Sequence, residues 1–260
     1  MMAKTQYPVV LVHGMMAKDF RLWRAFRGIS DFLRKEDVTV YVTNQDGVGG
    51  IVSNARQLRE EIREILKKEN CEKVNIIAHS KGGLDARYMI THLGMGDHVA
   101  SLTTLSTPHH GSGLSGKLLA LPRFMARFAA FFIDLTFRIL GDRHPDILQL
   151  GQDLTKASME RFNQDTPNAP GVYYQSFSAD VSDKRSFLLF LPYHISRYCE
   201  QGGTDGMVSV SSSQWGQYRG NICEDVDHFK MVGFYGRKKN LSGIAGFYLQ
   251  IIEELQDMGL

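Results

Sequence analysis

The chain has 260 residues, which suits one large domain with a complete hydrophobic core. Its formal net charge is only +2, and it carries neither a block of basic residues nor a basic–aromatic stripe, which excludes nucleic acid as an expected partner. Three cysteines are too few for a disulfide framework, so we expect free thiols, with a Cys199–Cys223 bridge as the alternative.

Close to its start the chain forms a predicted buried strand. The apolar run begins at Val9 and leaves no room for a signal peptide. We therefore expect a cytoplasmic protein, a protein secreted without a signal peptide, or a mature form with an added start methionine. The strand ends at a turn, His13-Gly14-Met15.

Apolar segments alternate with helical ones along the first 105 residues. The predicted strands cover residues 9–12, 38–42, 74–78 and 99–105. The predicted helices cover residues 19–34 and 53–68, and a third begins at residue 83. Because each strand is apolar throughout, the pattern predicts an α/β fold with a mostly parallel sheet and helices on both faces.

The turn after the strand over 74–78 carries a candidate nucleophile. Small residues flank the serine in Ala78-His79-Ser80-Lys81-Gly82, at the spacing of a nucleophile elbow. Such a turn is sharp and strained, and it lifts the serine hydroxyl above the sheet, which only small neighbours permit. An ordinary strand–turn–helix with an incidental serine is the alternative, since the motif alone is weakly specific.

Two backbone N–H groups are candidates for an oxyanion hole. Enzymes with a nucleophile elbow take one donor from the residue after the nucleophile and one from the loop after an early strand. These positions correspond to Lys81 and Met15. The side chain of Lys81 is expected to be solvated surface, at a helix start where the macrodipole mildly disfavours a cation.

Residues 118–140 form a long apolar segment whose four charges decide its interpretation. At about 100° per residue, the charges fall on one stripe roughly 60° wide. They are Arg123, Arg127, Asp134 and Arg138. A membrane-spanning helix would not carry these near the bilayer centre, at about 2.5–3.5 kcal/mol for each Arg or Asp. The pattern favours a lid helix that covers an apolar cleft and lies at an interface, with a buried helix of the domain as the alternative.

The rest of the chain supplies the candidate base and acid. We predict a helix over 154–162, strands over 171–177 and 221–226, and a closing helix over 246–255.

A serine nucleophile needs a base, and the base needs an orienting acid, in the chain order Ser, Asp or Glu, His. His228 is the only histidine after Asp205, which lies on a glycine-rich loop. We therefore predict His228 as the base and Asp205 as the acid, with Asp180 and Asp183 as weaker rivals.

Five motifs occur in order along nearly the whole chain. They are Val12-His13-Gly14-Met15, Ala78-His79-Ser80-Lys81-Gly82-Gly83, Ser106-Thr107-Pro108-His109-His110-Gly111-Ser112, Thr204-Asp205-Gly206-Met207-Val208-Ser209 and Asp227-His228-Phe229. With them the chain resembles the bacterial true lipases of the Pseudomonas/Burkholderia/Proteus type. The resemblance implies an α/β-hydrolase fold, ester hydrolysis without an organic cofactor, and a mobile helical lid.

The resemblance also implies which residues of this chain form the active site. It places the triad on Ser80, Asp205 and His228 and the oxyanion hole on Met15 and Lys81. We expect one α/β-hydrolase domain over residues 1–260, with a lid insertion at about 111–170.

Two features depart from that family. Its secreted Pseudomonas-type members have a half-cystine shortly after the triad aspartate, where this chain has Ser211. Their calcium site uses an aspartate two residues beyond the triad histidine, where this chain has Lys230, and residues 187–198 offer no second carboxylate. We therefore expect no metal site, with Lys230 as a local cation paired to an acid such as Asp225 or Asp227.

The predicted function is hydrolysis of carboxylic esters of acylglycerols by a serine hydrolase, a lipase or carboxylesterase. Its expected partner is a lipid or ester substrate, met at an oil–water interface through the lid helix, with no transmembrane span. A thioesterase or acyltransferase of the same fold is the alternative among enzymes, because one acyl-enzyme serves several donors and acceptors. A non-catalytic binding protein is the alternative from another class, and the complete Ser/His/Asp set disfavours it.

Overall fold

The computed structural model describes residues 5–15, 25–26, 28–113, 115, 122–181, 194, 202–222, 226–234 and 238–260. Its strands are β1 (Val9–Val12), β2 (Val40–Val42), β3 (Val74–His79), β4 (Val99–Leu105), β5 (Tyr173–Ser178) and β6 (Gln217–Asn221). Its α-helices are α1 (Ile29–Lys35), α2 (Ile51–Glu69), α3 (Gly82–His92), α4 (Arg123–Ile139), α5 (Ile147–Asp153), α6 (Lys156–Asp165) and α7 (Lys238–Asp257). Short 3₁₀ helices cover Gly96–His98 and Lys230–Val232.

The strands form one sheet in the order β2-β1-β3-β4-β5-β6, and each neighbouring pair is parallel. The carboxyl ends of the strands therefore meet at one edge, where sites of such folds gather. In the register of β1 and β3, Val12 lies opposite Ala78. This pairing brings the turn after β1 next to the turn that contains Ser80.

Helices bury both faces of the sheet. On one face, α1 and α7 pack over a core that includes Leu11, Ile77 and Leu105. On the other face, α2 and α3 pack over Val10, Ile76 and Leu102. Alternate residues of β1, β3 and β4 thus enter different cores, which is why these central strands carry apolar side chains on both faces. The predicted α/β architecture is confirmed.

The predicted helix over 19–34 is wrong at its centre. Helix α1 covers only its end, and Phe26 before it has a positive φ of 60°. The N–H of Phe26 donates to the carbonyl of Val232 at 2.7 Å, and its buried ring packs edge-on against Tyr248. A tertiary contact therefore overrides the helical pattern here, while residues 16–24 lie outside the described part.

The last strand was predicted too late in the chain. The prediction placed it at 221–226, but β6 runs from Gln217 to Asn221, and residues 223–225 lie outside the described part. In β6 exposed residues alternate with half-buried ones, as on an edge strand. Because its residues are mostly polar, a search of the sequence for apolar runs does not find it.

Helix α4 confirms the helix predicted within 118–140, although residues 116–121 lie outside the described part. It buries only two small side chains, Ala126 and Ala130. Its larger apolar side chains are exposed, with 75% exposure for Phe124, 68% for Phe128 and 51% for Phe132. The alternative of a buried core helix is therefore wrong. Within the described residues, no helix is both long and apolar enough to cross a bilayer.

Two buried carboxylates tie the end of α4 to the loop after β2. Asp142 accepts the N–H groups of Gly47 and Val48, each at 3.0 Å. In the opposite direction, Asp46 accepts the N–H groups of the two residues after Asp142, at 2.9 and 2.8 Å. The C-terminal end of α4 is thereby fixed above the same sheet edge as Ser80.

Candidate active site

Ser80 lies in a strained turn between β3 and α3. Its φ of 54° is positive, a conformation that costs a non-glycine residue on the order of 1–3 kcal/mol. The Ser80 N–H donates to the carbonyl of Leu105 at 2.9 Å, which holds the turn against β4. A Cβ at Gly82 would lie 2.5 Å from the carbonyl oxygen of His13, so only glycine lets α3 begin there. The local geometry is that of a nucleophile elbow.

The structure brings Ser80, His228 and Asp205 together although they are far apart in sequence. The Nε2 of His228 lies 3.0 Å from the Oγ of Ser80, and its Nδ1 lies 2.6 Å from the Oδ2 of Asp205. Because a carboxylate only accepts, Nδ1 carries the proton in this bond and Nε2 is free to accept from the serine hydroxyl. The series can therefore move a proton from Oγ to the imidazole.

The carboxylate of Asp205 is held firmly in place. Its Oδ1 accepts the N–H groups of Met207 and Val208, at 2.9 and 2.8 Å, and the residue is fully buried. The backbone N–H of His228 also donates to the carbonyl of Asp205 at 3.0 Å. Both side chain and backbone of the acid thus fix the position of the histidine.

The rival acids do not occupy this position. The carboxylate of Asp180 accepts the N–H of Thr204 at 3.1 Å, so it supports the loop that carries Asp205. Asp180 is exposed at the end of β5. Asp183 lies outside the described residues.

The turns that carry the two predicted oxyanion donors both lie against Ser80. A Cβ at Gly14 would lie 2.7 Å from the Cβ of Ser80 and 3.1 Å from its Oγ. The turn that contains Met15 is therefore in contact with Ser80, and Lys81 follows Ser80 directly. The oxyanion role of the Met15 and Lys81 N–H groups stays a prediction.

Comparisons with known proteins indicate the family to which the chain belongs. Residues 8–133 match the family model described as palmitoyl protein thioesterase. Triacylglycerol lipase 2 of Saccharomyces cerevisiae is 30% identical over 253 residues, covering 89% of this chain and 73% of that protein. The triacylglycerol lipase of Vibrio cholerae serotype O1 is 33% identical over 260 residues, covering 86% of this chain and 80% of that protein.

The chain belongs to the triacylglycerol lipase family. It is therefore an ester hydrolase, and the resemblance to lipases seen in its motifs is confirmed. The crystal structure of a metagenomic carboxyl esterase matches with a TM-score of 0.80 at 18% identity, covering 98% of this chain and 76% of that one. This likeness shows the α/β-hydrolase fold.

The side chain of Lys81 is buried in this lipase-family chain, so the expectation of solvated surface is wrong. Its Nζ lies 2.7 and 2.8 Å from the two carboxylate oxygens of Asp85, and each residue is only 1% exposed. Burial raises the pKa of Asp85 to about 6, and the charge of Lys81 partly offsets this rise. Lysine and aspartate four residues apart share a helix face, and this spacing is the signal that was missed.

A second histidine ring packs on the candidate base. The rings of His79 and His228 have centroids 4.5 Å apart and are tilted by 50°. Burial lowers the pKa of His79 well below its ordinary value, and the neighbouring His228 lowers it further. Among the described residues, neither ring nitrogen of His79 makes a hydrogen bond. His79 is thus a neutral aromatic support for the histidine that touches Ser80.

The loop Thr107–Gly111 lies at the carboxyl edge of the sheet, and a buried arginine anchors it. The Nη1 of Arg87 lies 3.2 Å from the Nδ1 of His109, and its guanidinium lies 3.5 Å from the ring centroid of Trp215. Its other partners are the side-chain oxygen of Asn163 and the carbonyl of Thr166. Burial lowers the pKa of Arg87 to about 9. This arginine joins α3, which begins beside the nucleophile, to the loops around it.

Lys230 lies at the position where the lipases that this chain resembles have a calcium-binding aspartate. The Nζ of Lys230 lies 3.4 Å from the Oδ2 of Asp227, one of the two acids proposed as its partner, while Asp225 lies outside the described residues. The Oδ1 of Asp227 accepts the N–H groups of Phe229 and Lys230, at 3.1 and 2.9 Å. These residues do not fit a calcium ion, because an ammonium group repels a divalent cation. Within the described ranges, no group of three acidic, histidine or cysteine side chains is arranged to hold a metal.

Cys71 is a free thiol. Cys199 and Cys223 lie outside the described residues, so the alternative bridge between them stays a prediction.

Proposed function

We propose that this chain hydrolyses carboxylic esters of acylglycerols through a Ser80–His228–Asp205 triad. The observation that carries the proposal is the continuous series of contacts from Ser80 Oγ to His228 Nε2 at 3.0 Å and from His228 Nδ1 to Asp205 Oδ2 at 2.6 Å. The names of the lipase relatives support the acylglycerol substrate. No organic cofactor and no metal ion is part of the proposed reaction.

The reaction begins with attack of Ser80 Oγ on the acyl carbon while His228 Nε2 takes the hydroxyl proton. Asp205 stabilises the imidazolium and keeps its ring in orientation. The N–H groups of Met15 and Lys81 meet the negative oxygen of the tetrahedral intermediate. His228 then returns the proton to the departing alcohol, which leaves an acyl group on Ser80. A water molecule, deprotonated by His228, releases the fatty acid by the same steps.

The proposal includes a role for α4 in meeting the substrate. Acylglycerols with long acyl chains gather in a separate lipid phase, so the enzyme must reach an oil–water interface. Helix α4 presents exposed phenylalanine side chains and lies in the predicted insertion at residues 111–170 of the single domain. We assign to it the contact with that interface.

Labelling with a fluorophosphonate tests the proposed nucleophile. The reagent should modify Ser80 in the native chain and leave Ser80→Ala unmodified. Hydrolysis of glycerol esters of graded acyl length, below and above their solubility limits, then identifies the preferred substrate. A chain that neither reacts with the label nor cleaves any ester would be a binding protein.

A thioesterase activity is the second candidate, and the family-model match over residues 8–133 favours it. A thioester passes through the same acyl-enzyme and differs only in its leaving group. Comparison of kcat/KM for a matched pair, an oxygen ester and a thioester of the same fatty acid, distinguishes the two candidates.

A further inference from the structure

Helix α4 has three distinct faces. At about 100° per residue, the buried alanines, the charged stripe and the exposed aromatic sector follow one another around the helix. The charged stripe therefore lies along the border between the protein and the aromatic sector. The aromatic sector comprises Phe124, Phe128, Phe131, Phe132, Leu135 and Ile139, all of which are exposed.

The stripe presents three guanidinium groups and one carboxylate. Arg123, Arg127 and Arg138 are exposed, and no ion pair with an acidic side chain is found for them in the part of the chain that the structure describes. Asp134, the one acid in the stripe, accepts the N–H of Ile147 at 2.8 Å and also interacts with the charge of Arg138. It offsets one of the three positive charges, so the stripe keeps a net positive charge.

A groove lies beside the charged stripe. It has a volume of about 700 Å³ and lies between the start of α2 and the segment after α4, with Arg138 and Arg56 in its lining. Two aspartates also line it, so its arginines are balanced and the groove does not add to the positive charge of the stripe. Asp146 accepts the N–H of Gln149 at 2.9 Å, and Asp153 accepts the N–H of Ile51 at 3.0 Å. Arg56 is exposed on the solvent side of α2.

We propose that α4 docks the protein on an anionic phospholipid bilayer. The aromatic sector enters the boundary of the acyl chains, and the arginines of the charged stripe, Arg123, Arg127 and Arg138, contact the lipid phosphates. A neutral oil surface would accept the aromatic sector but would offer the arginines no counter-charge. The inference rests on the proposed function, in which α4 contacts lipid, and it identifies the lipid surface as an anionic bilayer.

Vesicle binding tests the inference without hydrolysis. The Ser80→Ala chain is sedimented with vesicles of phosphatidylcholine alone and with vesicles of equal parts phosphatidylcholine and phosphatidylglycerol. We expect binding to the anionic vesicles that weakens at high salt, and much weaker binding to the neutral ones. Equal affinity for both vesicles, or no binding to either, would overturn the proposal.

Charge variants locate the contact. Arg123→Gln, Arg127→Gln and Arg138→Gln should each lower affinity for the anionic vesicles about fivefold. The three combined should lower it on the order of 100-fold. The control is Lys67→Gln, an exposed cation on α2 about 16 Å along the helix from Arg56, which should leave binding unchanged. Arginine variants that behave like the control would refute the docking surface.

Insertion of the aromatic sector has its own readout. Phe128→Trp should show a blue-shifted fluorescence and quenching by brominated lipid with anionic vesicles only. The native chain is assayed in parallel on a soluble short-chain ester. Loss of that hydrolysis refutes the proposed function, whereas loss of vesicle binding with hydrolysis intact refutes this inference alone.

Discussion

The ammonium group of Lys81 contacts both carboxylate oxygens of Asp85, at 2.7 and 2.8 Å, inside the protein and one residue after the nucleophile. The residue whose N–H is proposed to bind the oxyanion is therefore tied by its own side chain to the next turn of α3. Asn54 of α2 also reaches Asp85, at 3.4 Å. The start of α3 thus has little freedom to rotate away from Ser80.

Removal of either partner of this pair should strongly destabilise the fold. Lys81→Met or Asp85→Leu leaves one charge buried without a counter-charge, which costs about 3–5 kcal/mol. The double variant should lose less than either single variant, because it leaves no buried charge. Free energies of unfolding in urea, combined in a double-mutant cycle, measure this. Glu60→Gln, which breaks only the surface contacts with Arg59 and Arg63, is the control and should cost less than about 1 kcal/mol.

The triad predicts large losses of hydrolysis without loss of fold. Ser80→Ala and His228→Ala should each reduce kcat by roughly 10⁴-fold or more, since triad members act as a unit. Asp205→Asn should show a similar or smaller loss, because the neutral amide cannot stabilise the imidazolium of His228 as the carboxylate does. Steady-state kinetics on a soluble ester provide the measurement, with melting temperature as the check on folding. Near-native activity in Asp205→Asn, together with an essential Asp180 or Asp183, would show that the acid is assigned wrongly.

Gly14 should tolerate no side chain. In Gly14→Ala the new Cβ would lie 2.7 Å from Ser80 Cβ, so the turn that carries the Met15 N–H must move away from the nucleophile. Loss of one oxyanion donor costs on the order of 10²–10³ in kcat, so we expect a loss of this size with a smaller change in KM. Gly243→Ala is the matched control, because nothing lies within 4 Å of its added Cβ. It should keep full activity and gain about 0.5–1 kcal/mol of stability from better helix propensity.

The sequence predicted those parts of the fold in which local pattern and tertiary structure agree. The strands β1, β3 and β4 are buried and carry apolar side chains on both faces, and the turn at Ser80 has a motif with a steric cause. The helix predicted at Phe26 was wrong because a backbone contact with Val232 decides the conformation there. The bounds of β6 were wrong because it is a polar edge strand. Neither the contact nor the edge position can be read from the local pattern of apolar residues.

The candidate site shows the same division. The elbow motif, the glycine-rich loop and the chain order together predicted Ser80, Asp205 and His228, and the structure places the three side chains in contact. The buried state of Lys81 was missed, since one charged residue at a helix start looks like surface until its partner at Asp85 is considered. The packing of His79 on His228 joins residues about 150 positions apart, at 4.5 Å between ring centroids, and no local pattern reports it.

The chain should need no calcium for activity or stability. In its Pseudomonas-type relatives the resemblance implies an ion near the catalytic histidine, but here Lys230 contacts Asp227 at that position. A chelator should therefore leave both the melting temperature and the rate of ester hydrolysis unchanged. A drop in either value that added calcium restores would reveal a site outside these residues. Lys230→Ala should cost on the order of 1 kcal/mol or less, because Asp227 keeps its two backbone hydrogen bonds.

The exposed aromatic side chains of α4 should matter for lipid aggregates and not for dissolved esters. Phe128→Asp and Phe132→Asp each place a charge where an aromatic ring, 68% and 51% exposed, would otherwise enter lipid. Burial of such a ring contributes about 1.5–3 kcal/mol, so binding to emulsified long-chain esters should fall on the order of 10-fold or more. Hydrolysis of a soluble short-chain ester should stay near the native rate, because both positions are on the surface and touch no triad residue. Met258→Asp, a similar change at a residue that is 44% exposed near the end of α7, should alter neither rate. Equal losses on both substrates would instead mean that these rings support the catalytic centre.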